Sequence, residues 1–448
     1  MQVLWAAARG LLRHALPVLV AQLASVGMMV VDTVVLGHFG AADLAAVAIG
    51  GGLYVSIVFA LVGVLQAVSP MVAYRAGARQ PDEVGAVLQH GLLLAGLLAL
   101  PGFLFLQHPG VLLGWVGIEG ALAARVRDYL AILAWGLPAA LLYRTFYAFS
   151  NALGRARALM AIGLTGLLVH AVLAWGFALA GWLGEPLGAR GCAFSNVLIS
   201  WVNCLIAGLM LGFGPFGRLY RPFSHWAGLR WPIWREMLRL GVPIGASNFI
   251  EITAFALIAA LVAPLGAVAV AGHRVVASLA ALAYMLPLSL GIATLAATGH
   301  ALGARDPAQA RNVASAGLGL AGVLSLGVAA LLWQVREPLL DLYTSDPAVR
   351  QFAESLLVYI VIYQLFDALQ TVAGHALRAY RVTFAPMLVQ LSCFWGVGLG
   401  LGWWLCYRGF GGMGVAGFWL AAAIGIVAAA ALLGSMLWMV VREGNSSP

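Results

Sequence analysis

Lysine is absent from this chain, and charge of either sign is scarce: 24 basic residues, all arginine, stand beside 16 acids in 448 residues. With 9% of residues charged and 63% apolar, against the roughly 25% charged that soluble domains carry, too little polar surface exists to cover a water-soluble fold. Cysteine is scarce as well. Cys192, Cys204, Cys393 and Cys406 lie in or beside apolar stretches without CxxC spacing, which excludes a disulfide scaffold and a thiolate metal centre and leaves small hydrophobes. No HExxH or GxSxG motif occurs and the nine histidines are scattered, so the chain is not expected to be an enzyme or to need a cofactor. Short alternating segments are missing too, which argues against a membrane barrel.

What remains is apolar sequence in lengths that suit a bilayer. A spanning helix needs about 20 mainly apolar residues, and about twelve such stretches run from 14–37 to 411–440 with short polar breaks. The expected class is an all-α integral membrane protein with no large water-soluble domain. The first stretch continues into the next without a small-residue cleavage site, so it is not read as a removed signal peptide. Sixteen arginines fall on the connectors that share a side with the termini and six on the opposite connectors. Both termini are therefore expected in the cytoplasm. The net charge of +8 is accounted for by topology and implies no nucleic acid.

The chain reads as two copies of one unit. The longest basic connector, 214–237 (GPFGRLYRPFSHWAGLRWPIWREM), falls near the midpoint. It is read as a cytoplasmic linker between an N-terminal six-helix lobe, 1–213, and a C-terminal six-helix lobe, 238–448. A shift of 226 residues sets ALPVLVAQ (15–22) on GVPIGASN (241–248), pairing Pro17 with Pro243, and GARQP (77–81) on GARDP (303–307) without a gap. An even number of spans per copy makes the copies parallel, as in transporters that rock two bundles about a central site.

Three acids sit in the wrong solvent. Thirteen of the 16, Asp43 among them, fall in connectors or at span ends; Asp32 in VGMMVVDTVVLG (26–37), Glu251 in NFIEITAF (248–255) and Asp367 in YQLFDALQ (363–370) do not. An ionisable side chain at membrane depth costs on the order of 3 kcal/mol and marks an ion or proton route. The alternative is a protonated acid that ties two helices by hydrogen bonds. Tyr363 precedes Asp367 by four residues, so a phenol oxygen and a carboxylate share a helix face and can share one cation or proton. Under the repeat, Glu251 corresponds to Ser25, Asp32 to Ile258 and, after a two-residue adjustment, Asp367 to Tyr143. The lobes are expected to share a shape and differ in chemistry.

These stretches resemble the multidrug and toxic compound extrusion (MATE) family, in its NorM-like branch. The resemblance rests on VVDTVVLGHFGAADLAAVAIG (30–50), LGVPIGASNFIEIT (240–253), VAPLGAVAVAGHRV (262–275) and YQLFDALQTVAGHALRAYR (363–381). It implies two pseudo-symmetric six-helix lobes around a central cavity, in a bacterial cytoplasmic (inner) membrane, and a monomer as the working unit. It further implies export of small lipophilic or aromatic organic cations in exchange for Na+ or H+. Glu251, Asp367 and Tyr363 match the family's coupling site, where Na+ would sit if sodium couples, and Asp32 matches its first-lobe acid. Tyr284 and Phe255, with His170, are candidates to line the substrate cavity. Tyr284 and His170 also read as helix-packing residues. The chain departs from the pattern on the fifth span, where two asparagines are usual and His170 and Ala174 stand. A lipid-linked precursor flippase of the same broad superfamily and a passive channel are the alternative readings. Proline and glycine within spans, including Pro138, Pro287, Gly291 and Pro386, are expected to let helices bend.

Overall fold

The computed structural model describes residues 2–115, 118–220, 222–223 and 228–443; Arg221 and part of the 214–237 connector lie outside them. Among the described residues the regular structure is all helix, joined by short connectors. Its long helices are α1 (Gln2–Phe39), α2 (Ala41–Gly77), α3 (Pro81–Gln107), α4 (Gly120–Ala152), α5 (Ala156–Ala178) and α6 (Ala189–Gly212). The second set is α7 (Trp231–Leu265), α8 (Ala267–Gly303), α9 (Pro307–Gln334), α10 (Pro347–Ala379), α11 (Phe384–Tyr407) and α12 (Val415–Glu443). Eleven of these are long and apolar enough to cross a membrane, and α4 makes up to twelve if its two bent halves count as one span. Helices are the form such sequence must take, because backbone N–H and C=O groups have no water to bond in hydrocarbon.

The repeat is visible in the backbone. Helices α2 and α8 end alike: Gln80 N–H bonds Arg75 O at 3.0 Å, and Asp306 N–H bonds Ala301 O at 3.0 Å. The residue that closes each turn, Arg79 (φ 57°) or Arg305 (φ 58°), is left-handed. This is the helix-terminating turn in which glycine is usual, and an L-residue there costs roughly 1–2 kcal/mol. Both copies keep the arginine and follow it with a proline, Pro81 or Pro307, in the first turn of the next helix. Only the second copy adds a side-chain cap, Asp306 Oδ1 accepting from Gln309 N at 2.8 Å.

Two compact units result. One comprises Pro17–Gly245, and the other Met1–Leu16 with Ala246–Pro448. The core of the first is built mainly from α2, α3, α4 and α6 and takes in Ile233, Met237 and Leu240 from the start of α7. In the second, Leu11 and Ala15 of α1 pack with Leu290, Ala293 and Val372. Each unit thus includes the opening turns of a helix that continues in the other, and the changeovers fall beside the repeat-paired Pro17 and within a few residues of Pro243.

Prolines shape the interiors. Helix α4 is bent by 52° between its segments Gly120–Ala134 and Leu137–Ala152, next to Pro138, which lacks the N–H that would bond the Ala134 carbonyl. The adjacent carbonyl, Trp135 O, accepts Trp201 Nε1–H from α6 at 3.0 Å. In α8, Pro287 leaves the Ala283 carbonyl without its helical donor, and Gln364 of α10 supplies Nε2–H at 3.1 Å. In α11, Pro386 precedes a π-helical run, Leu391–Leu401.

Asp43 stands at a span end, where the sequence predicts contact with water, yet it is 8% exposed. Its Oδ1 accepts Ala189 N–H at the start of α6 at 3.1 Å and its Oδ2 takes Arg125 Nη1 at 2.6 Å. A carboxylate at a span end is buried here because a helix N-terminus and a guanidinium replace its water. At the other end of this unit Arg75 Nη2 bonds Glu236 Oε2 at 2.8 Å, and Arg230 Nη1 bonds Glu83 Oε1 at 2.7 Å.

Candidate functional site

The acids at membrane depth fall into two groups, one in each unit. In the first unit Asp32, on α1, is 6% exposed. His170 of α5, which is fully buried, places Nε2 at 3.1 Å from Asp32 Oδ1. Asn196 of α6 donates Nδ2–H to Asp32 Oδ2 at 2.9 Å. Behind the imidazole, Ser195 Oγ stands 2.8 Å from His170 Nδ1 and 3.3 Å from the His170 main-chain oxygen. The Cys192 thiol also reaches Asp32. Three helices meet at one carboxylate, and both of its oxygens face N–H groups.

In the second unit Glu251 of α7 and Asp367 of α10 lie within electrostatic reach of one another. Tyr363, one turn before Asp367 on α10, interacts with both acids and with Tyr284 of α8. Asp367 is 2% and Tyr363 3% exposed, whereas Glu251, Tyr284 and Phe255 are half-buried. Around it are rings: Phe255 meets Tyr363 edge to face at 6.3 Å between centroids, and Trp419 meets Tyr363 at 6.2 Å. Trp395, in the π-helical run, donates Nε1–H to Ile250 O at 3.1 Å, which anchors α7 one residue before Glu251. Gln370 donates Nε2–H to Asp367 Oδ1 at 3.1 Å and to Thr371 Oγ1 at 3.2 Å. Its own Oε1, like that of Gln364, is buried with no hydrogen-bond partner. Arg378, two turns beyond Gln370, is within electrostatic reach of Glu251 and Tyr284.

Glu251, Asp367, Tyr363, Tyr284 and Phe255 therefore form one cluster, and Asp32 with His170 forms another. Sequence reasoning did not single out Ser195, Asn196, Gln364 or Gln370. Their signal was the neutral polar pair in CAFSNVLIS (192–200) and the glutamines flanking Asp367 in YQLFDALQT (363–371). The second cluster is rich in oxygen acceptors: two carboxylates, two phenols and the unpartnered amide oxygen of Gln370. Such a set suits a hard cation or protons. The first presents N–H groups to its acid.

Comparison with known proteins adds the family. A family model described as MatE matches residues 17–175 and 243–404, one stretch in each half of the repeat. A "Probable multidrug resistance protein NorM" from Aromatoleum aromaticum is 50% identical over 436 residues, covering 97% of this chain and 94% of that protein. A "Multidrug resistance protein NorM" from Vibrio vulnificus is 33% identical over 446 residues, covering 98% and 96%. Among solved structures, that of the eukaryotic MATE transporter AtDTX14 superposes with a TM-score of 0.88 at 22% identity and covers 99% of each chain, which speaks to the fold. Matched by the family model in both halves, and half identical to a relative over nearly its whole length, this multi-span membrane protein belongs to the MATE family of transporters, in the NorM-like branch.

Proposed function

We propose that this transporter exports lipophilic organic cations, many of them drugs, in exchange for Na+ or H+ by alternating access. Both termini are cytoplasmic in this reading, and the membrane is the bacterial inner membrane. The observation that carries it is the second-unit cluster: two carboxylates, Glu251 and Asp367, held among Tyr363, Tyr284 and Phe255 in an apolar setting. Empty and ionised, such a pair creates negative potential beside aromatic faces, and both features attract an organic cation. Once protons or sodium occupy the carboxylates that attraction is lost, and the cargo leaves. An ion drives the cycle only as far as it binds the two conformations differently. If sodium is the coupling ion, it is a substrate of this cycle, with Glu251, Asp367 and Tyr363 as its ligands and the free Gln370 Oε1 beside them.

Everted vesicles loaded with the protein provide the test. An imposed sodium or proton gradient should drive uphill uptake of ethidium, an aromatic cation, and Glu251→Gln and Asp367→Asn should abolish it with insertion unchanged. Uptake that only equilibrates would indicate a channel. Undiminished uptake in both variants would refute the assigned site. Repeating the assay at fixed pH with and without sodium identifies the coupling ion.

A further inference from the structure

One charge within a span belongs to neither acid cluster: Arg144, in LLYRTFYAF (141–149) on α4. It stands eight residues before Ala152, the end of that helix, about 12 Å at the rise of an α-helix. Tyr54 of α2, within electrostatic reach of it, stands 13 residues after Ala41, the start of its own helix, about 20 Å along the axis. Both measures put the guanidinium inside the span and away from the interfaces to which a long side chain snorkels.

Among the described residues no carboxylate lies within ion-pair distance of Arg144, and none of its N–H groups is hydrogen-bonded. What surrounds it is aromatic. Its guanidinium carbon lies 5.6 Å from the centroid of the Tyr147 ring, the Tyr143 and Tyr147 rings are 6.4 Å apart, and Tyr54 approaches from α2. All four side chains are half-buried and all belong to the unit Pro17–Gly245. We propose that Arg144, Tyr54, Tyr143 and Tyr147 form a binding site for an aromatic monocarboxylate. This goes beyond the exporter reading, because the ligand is an organic anion.

A charge at membrane depth needs a partner, and the phenols supply only part of one. A neutral phenol offers a π face, which attracts a guanidinium but leaves its planar fork of N–H donors unfilled. A carboxylate fills that fork with two parallel charge-assisted bonds, and the rings beside it can cover a flat aromatic body. Valence follows from the count of charges. Among the described residues Arg144 is the only cation acting on these three rings, so a dicarboxylate or a phosphate monoester would bring a second negative charge with nothing to offset it. The fixed positive charge also repels an organic cation from rings that would otherwise attract one. The same face of α4 holds a further polar group: Asn151, seven residues beyond Arg144, is 1% exposed, and its amide lies beside the Tyr147 phenol without a hydrogen bond of good geometry. Tyr147 directs its own O–H to Gln22 Oε1 at 3.4 Å.

The test uses the purified full-length protein in lipid nanodiscs and tritiated 2-naphthoate, with empty nanodiscs subtracted. Wild type should bind it saturably, and 2-naphthalenemethanol, a neutral analogue of the same shape, should displace it at least about tenfold less well than unlabelled 2-naphthoate. Arg144→Gln should weaken binding by at least about tenfold. Arg144→Lys, which keeps the charge and loses the fork, should fall between that variant and wild type. Absence of saturable binding to wild type, equal displacement by the alcohol, or undiminished binding in Arg144→Gln would overturn the proposal. The comparison of acid with alcohol needs no variant, so it decides the matter even if a substitution prevents folding. Ethidium uptake by wild type in vesicles is measured in parallel. Its absence would sink the exporter reading while leaving naphthoate binding to decide the anion site.

Discussion

Replacing Gln364 with leucine perturbs a single hydrogen bond that a proline makes necessary. Pro287 has no N–H for the Ala283 carbonyl, and Gln364 Nε2 occupies that place at 3.1 Å. The amide orientation is forced, since a carbonyl can only accept. Gln364 is 0% exposed, so the bond forms without competing water. Removing the donor leaves a buried carbonyl unpaired, a loss of about 1–3 kcal/mol in soluble proteins. The same substitution also removes Gln364 Oε1, which is itself buried without a partner, and that change favours the variant. A single substitution therefore mixes two opposing terms, and a double-mutant cycle separates them. In Pro287→Ala the backbone N–H returns, Ala283 O regains its helical donor, and Gln364→Leu then loses only what is unrelated to that bond. Measured couplings of this kind in membrane helices average about 0.6 kcal/mol with a maximum of about 1.7. Full burial places this one in the upper half, about 1–1.7 kcal/mol. The assay is equilibrium unfolding in mixed anionic-detergent micelles followed by tryptophan fluorescence, for wild type, both single variants and the double. Additivity within about 0.3 kcal/mol would show that Gln364 does not replace the missing donor.

Three further outcomes follow from the same geometry. Trp201→Phe removes the N–H that bonds Trp135 O beside the bend in α4, and should lower stability by about 1 kcal/mol in the same unfolding assay. At Gly191 a Cβ would meet Ala178 N at 2.6 Å and Ala178 Cα at 2.7 Å, both backbone atoms; Gly191→Ala should force α5 and α6 apart and lower the midpoint of thermal unfolding by an amount equivalent to about 1–3 kcal/mol. Arg75, 12% exposed and bonded to Glu236, should cost about 1.5–3 kcal/mol when changed to Gln, whereas Arg230→Gln, at a pair 42% and 34% exposed, should cost under about 1 kcal/mol; equal losses in denaturant titrations would contradict this ranking.

The sequence announced the groups that are costly to place and kept silent about those that are cheap. Asp32, Glu251 and Asp367 were visible because a carboxyl at membrane depth is an expense that lipid-facing sequence avoids. Their partners were not, since a neutral Ser, Asn or Gln within a span costs little and finds a bond in most folded arrangements. That is why the roles of Ser195, Asn196, Gln364 and Gln370 become visible only in the fold. The repeat was legible at Arg79 and Arg305 because a strained turn followed by proline leaves a mark in the letters, whereas the burial of Asp43 depended on Arg125 and Ala189, remote in sequence. Pro138 and Pro287 were both read as places to bend. Only Pro138 lies at a break between helical segments, 52° in α4; in α8, Ala267–Gly303 remains one helix with Gln364 completing its ladder. A proline removes a donor in every case, but what the surrounding helices offer to the orphaned carbonyl is not written beside it.

The contrast between the clusters follows from duplication itself. Two copies of one helical unit begin with matching backbones, as the turns at Arg79 and Arg305 still show, yet acids at equivalent positions have not been kept: Asp32 stands opposite Ile258, and Glu251 opposite Ser25. Each acid then takes its character from what the neighbouring helices direct at it. Around Asp32 those are N–H groups, which do not suit a bare metal ion. Around Asp367 they include the acceptor oxygen of Gln370, which has no partner, a setting that gains from any small cation. In the proposed exchange cycle, ion choice follows the direction of neutral side-chain dipoles around an acid as much as the acid itself.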